Sequence, residues 1–92
     1  MTEKERLLIS LNNFNSIEPG WDGGDGEIPD ERTIRTAKDL IDLFNEETLK
    51  HVSVFPGNQG GIYIQGRTAE IKISIYVIGT NITSSLKKNE LH

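Results

Sequence analysis

At His51 the spacing of apolar residues changes period, and that change constrains the fold more than any other feature of the chain. Before it, apolar side chains recur every three to four positions, the spacing that gathers them on one side of an α-helix. After it they alternate, as in a half-buried strand. Ninety-two residues leave room for one domain. The expectation is therefore a single α+β domain over residues 1–92. Two N-terminal helices pack on one face of a three- to four-stranded antiparallel meander.

Residues 3–14 read as the first helix, with Leu7, Leu8, Leu11 and Phe14 in one stripe and Glu3, Lys4, Glu5 and Arg6 facing water. The second opens after Pro29, with Asp30 as N-cap and Glu31 at the positive end of the dipole. Its stripe is Ile34, Ala37, Ile41 and Phe44, widened by Leu40 and Leu43, while Asp39, Asp42, Glu46 and Glu47 form a solvated face. Strands are expected over residues 51–55, 62–65, 69–78 and, more weakly, 81–85, with a frayed tail from about 86. Gly66-Arg67-Thr68 reads as the hairpin before the third strand. That strand sets Ile71, Ile73, Ile75 and Val77 on one face and Glu70, Lys72, Ser74 and Tyr76 on the other.

Charge is uneven along the chain. Residues 1–50 carry twelve acids against six bases, and residues 51–92 two acids against four bases. Glu18, Asp22, Asp25, Glu27, Asp30 and Glu31 follow one another without an intervening base. Among them, four glycines in residues 20–26 surround Trp21, which makes a loop with positive-φ positions and one large aromatic. Trp21 reads either as an anchor where helices meet sheet or as an interface hot spot, and both hold if one ring edge stays exposed. Direct nucleic-acid binding is disfavoured because phosphate neutralisation needs clustered Lys and Arg, and the acidic segment favours a protein partner with a basic surface or groove.

No catalytic constellation is legible. Setting Asp25-Gly26 at the fifth and sixth positions of a calcium loop puts Trp21, Gly23 and Arg32 at ligand positions, so neither metal nor other cofactor is expected. The glycines of residues 56–61 lack the Gly-Lys-Ser/Thr of a phosphate loop and precede a strand. His92 is terminal, and His51 has no acid or serine placed beside it by spacing. A non-enzymatic role follows. No cysteine, no signal-like start and no apolar run near the ~20 residues of a membrane span point to a cytoplasmic protein.

Gly20-Trp21-Asp22-Gly23, then Pro29 opening a helix, Val54-Phe55-Pro56 and Gly60-Gly61-Ile62 carry a family likeness. Over residues 7–78 the chain resembles a class of small uncharacterised bacterial and phage proteins. They share a Gly-Trp-Asp-Gly loop between two helices, a Phe-Pro turn and a Gly-Gly-hydrophobic strand. The chain departs from that class after Gly23, where Gly24-Asp25-Gly26-Glu27 replaces an aromatic or small residue followed by Gly-Ala. The resemblance implies a setting among mobile elements and two-gene defence or toxin modules. The expected function is a binder of the antitoxin, immunity or phage anti-defence kind. It would occlude a basic partner through Trp21, Asp22, Asp25, Glu27 and Glu31. The alternative is a homo-oligomeric or small-ligand module using an exposed sheet edge or face, with Tyr63, Tyr76 and Ile78 on it.

Overall fold

A computed structural model describes residues 1–14, 27–57 and 59–88. The chain is α+β. Three helices, α1 (Glu3–Asn13), α2 (Glu31–Asp42) and α3 (Glu46–Leu49), precede four strands, β1 (Val52–Pro56), β2 (Ile62–Arg67), β3 (Ile71–Ile78) and β4 (Asn81–Lys88). The sheet is antiparallel throughout, in the order β1-β2-β3-β4. Leu7, Leu11 and Phe14 of the first segment, Ile34, Ala37 and Ile41 of α2 and Leu49 of α3 form one core with Val52, Ile62, Ile64 and Val77. Those four strand residues lie on the same face by register, since Ile62 pairs with Val77 and Ile64 with Ile75.

Local chemistry places the helix starts. The Asp30 carboxylate accepts the Thr33 N–H at 2.8 Å, and Thr2 Oγ1 accepts the Glu5 N–H at 3.1 Å. The α2 stripe buries Ile34, Ala37 and Ile41 as its spacing requires. Leu43 does not widen it: the helix ends at Asp42, and Leu43, its C-cap, is 78% exposed.

The expectation of two helices is corrected to three. Asn45 caps α3 by accepting the Thr48 N–H at 2.8 Å, and this single turn carries Leu49 into the core. Its Glu46 is no bystander on a solvated face. The carboxylate accepts the Glu3 and Lys4 N–H groups at 2.9 and 3.0 Å, and so closes the positive end of α1. Arg6 also departs from the water-facing role read for it. Its guanidinium reaches the Leu49 and Val52 carbonyls at 3.3 and 3.0 Å, pinning α1 to the α3–β1 junction.

Two boundaries move as well. Gly66 and Arg67 belong to β2, and the turn falls at residues 68–70, where the Thr68 hydroxyl accepts the Ile71 N–H at 3.1 Å. The fourth strand runs through Lys88, so residues 86–88 are strand where a frayed tail was expected. A two-residue turn at Gly79-Thr80 joins it to β3, with Gly79 at φ +59° as the first position of a type II′ turn demands.

Candidate functional site

Of the residues expected to dock a partner, Trp21, Asp22 and Asp25 lie outside the described residues, as does Glu18. Glu27 and Glu31 are described, on different elements. The Glu27 backbone bridges Gln59, and a Cβ on Gly60 would stand 3.3 Å from Glu27 Oε2, so Glu27 is seated against the β1–β2 loop. Glu31 is exposed on the first turn of α2. Beside it the run of one sign ends: Asp30, Glu31, Arg32 and Arg35 line one wet hollow. The Thr33 N–H holds the Asp30 carboxyl below its usual value, and the Arg32 charge adds to that. Asp30 is thus a cap. Among the described residues no three His, Asp or Glu side chains group to hold a metal ion.

A second region lies at the open edge of the sheet. All eight residues of β4 are exposed. Register puts Ile82, Ser84 and Leu86 on the helix-bearing face, opposite Val77, Ile75 and Ile73. Ile82 is 49% and Leu86 67% exposed there, because α2 lies over β2 and β3 and stops short of β4. Next to Leu86 the same face sinks into a mostly apolar hollow of about 270 Å³, floored by Ile64, Gly66, Ile71, Ile73 and Ile75 and walled by Phe44 and Thr48.

The third region is the opposite face, which no helix among the described residues covers. Register resolves it into three cross-strand rows. Phe55, Tyr63, Tyr76 and Thr83 are successive partners across all four strands, and so are Ser53, Gln65, Ser74 and Ser85. Arg67, Lys72 and Lys87 form the third row, extended to β1 by His51, whose carbonyl accepts the Arg67 N–H at 3.2 Å. Phe55 is 47% and Tyr63 39% exposed, and the Tyr63 and Tyr76 rings stack obliquely with centroids 4.7 Å apart. A hollow of about 290 Å³ joins the lower two rows, lined by His51, Ser53, Gln65, Arg67 and Lys72 with Phe55 at its upper edge.

The upper end is closed by the β1–β2 loop. Gly61 packs so tightly on Tyr76 that a Cβ there would overlap the phenol ring. Burial pushes the Tyr76 phenol up, and the Tyr63 and Glu27 charges push the same way against the Gly61 backbone. Sequence reading singled out Tyr63 and Tyr76 but not Arg67, Lys72 or Lys87. Alternation in the sequence already sets Lys72 on the Tyr76 face, but the joining of Arg67, Lys72 and Lys87 into one row becomes visible only once register is known. Comparison with known proteins adds no assignment, since no protein-family model, curated protein or solved structure matches the chain.

Proposed function

We propose that the chain acts by binding, as a homo-oligomeric module that closes edge to edge through β4. The observation carrying this reading is that β4 is wholly exposed although Ile82 and Leu86 point to the core side of the sheet. An eight-residue edge of this kind is a template for a further strand.

The pattern suits a second copy of the same chain. Because the closing pair Ile78 and Asn81 flanks a two-residue turn, the free N–H and C=O groups belong to Ile82, Ser84 and Leu86. An antiparallel two-fold with Ser84 opposite its own copy brings Ile82 against Leu86 of the second chain, and Leu86 against Ile82. The smallest of these side chains then sits on the axis, and neither Lys87 nor Lys88 opposes a lysine. Shifting by one residue would set Ile82 against Lys88, which removes the apolar pairing.

Light scattering tests it. The expected mass is twice the 10.3 kDa of the chain at micromolar concentration. Ser84→Pro, which deletes a free N–H without breaking a bond to β3, and Leu86→Lys should each give a folded monomer. A wild-type monomer, or a dimer indifferent to Ser84→Pro, would overturn the reading.

A second reading, occlusion of a basic partner by the acidic segment, keeps one described support: Glu31 is exposed and forms no ion pair among the described residues. Under it, Asp22→Lys combined with Asp25→Lys slows association with that partner and flattens its salt dependence.

A further inference from the structure

We propose that the outer face of the sheet binds a short run of single-stranded nucleic acid, with phosphates along the His51–Arg67–Lys72–Lys87 row and bases on Phe55 and Tyr63. This goes beyond the dimer reading and does not depend on it.

The cationic row supplies the first argument. Arg67 opposes Lys72 and Lys72 opposes Lys87 directly across adjacent strands. Like charges so placed repel and weaken a sheet. Among the described residues the ion pairs are Lys4 with Asp42, Arg6 with Glu3 and Lys50 with Glu47, none of which reaches this row. Within residues 51–88 the only acid is Glu70, in the β2–β3 turn. Three neighbouring cations with no counter-charge among the described residues are an arrangement that a bound polyanion relieves.

The aromatic row supplies the second. An acidic protein segment would satisfy the cations but has no use for Phe55 and Tyr63, which stand part-exposed on the same face. Unpaired bases do, because every base has a π-face and stacking on exposed aromatics is the usual means of holding single strands on a sheet. The rows lie four residues apart, about 13 Å at the rise of a strand. Lysine and arginine side chains leaning along the strands shorten that gap toward the reach from a phosphate to its base. The Ser53–Gln65–Ser74–Ser85 row lies between, where sugar hydroxyls and base edges find hydrogen-bond partners. A duplex hides its base faces and fits this surface poorly.

Net charge does not oppose the proposal. The acids of α1, α2 and α3 belong to elements packed on the other face, and screening within about 10 Å at moderate salt makes the local row decisive. Glu27 is the described carboxylate at the upper boundary, beside Tyr76 and the Gly60-Gly61 loop. It places the bases there and the phosphates at the opposite end.

Fluorescence anisotropy of labelled oligothymidine and oligouridine is the test. Binding should weaken with salt on a log–log slope of about −2, the value for roughly three phosphates on a single strand. Lys72→Gln and Lys87→Gln should each lower the slope by about 0.7 and the affinity several-fold. Phe55→Leu, which keeps the apolar contact but not the stacking plane, should weaken binding about tenfold and leave the slope unchanged. Ser84→Pro should keep nucleic-acid binding per chain while losing self-association, so failure of either proposal is read separately. No binding at low salt, or equal affinity in the Lys72→Gln/Lys87→Gln double variant, would overturn the proposal. Competition by a duplex or by polyglutamate as strong as by the single strand would do the same, by reducing the face to a charge patch.

Discussion

Thr33 is the one buried polar side chain among the described core positions, and it does two jobs. Its backbone N–H receives the Asp30 cap, while its hydroxyl accepts the Gly79 N–H at 2.8 Å. Thr36, one turn on, lies 2.9 Å from the Gly79 carbonyl. The two threonines therefore clamp both backbone groups of Gly79, in the β3–β4 turn, to α2. Thr33→Val keeps the shape and deletes the acceptor, so it should cost about 1–2 kcal/mol in urea denaturation, whereas Thr33→Ser recovers most of that. Equal losses in both would mean that packing, not the hydrogen bond, is what Thr33 supplies. Tyr76 ties stability to pH. Burial raises its pKa, so the folded state holds the proton more tightly than the unfolded chain does. Its contribution is fully present below the ordinary value near 10 and is lost as pH rises through the higher folded value. In Tyr63→Phe, where Tyr76 is the remaining tyrosine, absorbance titration should find a midpoint above the ordinary 10.0. A midpoint at or below that value would show the ring to be wetter than its packing against Gly61 implies.

Among the elements, the β1–β2 loop gains its shape from a side chain on another strand. Gly57 approaches both tyrosine rings, and Gly61 leaves no room for a methyl against Tyr76. Gly61→Ala should therefore destabilise by about 1–3 kcal/mol, with much less loss in a Tyr76→Ala background, as a double-mutant cycle on thermal unfolding would show. Additive losses would place the strain elsewhere. This coupling was invisible in the sequence because it joins residues fifteen positions apart across a hairpin. What could be read were features governed by neighbours within one turn: the Asp30 cap, the α2 stripe and the alternation of β3. The short α3 escaped because one turn is too little for a period, although Asn45 is a sound capping residue. The full length of β4 escaped because the polar residues 81–85 signal a strand only weakly and Lys87-Lys88 read as tail, and only pairing with β3 carries the strand through Lys88. Of the residues read as a site, the described two, Glu27 and Glu31, stand on separate elements. The face with the more specific pattern depends on register, which a linear reading does not contain.

For the whole molecule, net charge and charge placement make opposite predictions about one lysine. The chain carries −4 overall. If its mean charge governed stability, removing a base would increase self-repulsion and weaken the fold. The fold instead sorts charges by side, with the helices carrying most of the described acids and the outer face of the sheet carrying Arg67, Lys72 and Lys87 in direct register. Lys72 sits between two cations, so Lys72→Gln should stabilise the protein by about 0.5 kcal/mol at low salt. The gain should fade as added salt screens the row, and wild-type stability should rise over the same range. Urea denaturation across a salt series reads both effects. Destabilisation by Lys72→Gln at low salt would mean that the lysine is already neutralised within the chain, and the case for an external polyanion would lose its footing. Stabilisation would mean that the sheet tolerates a repulsion it could lose by one substitution, as expected where the charge serves a ligand and not the fold.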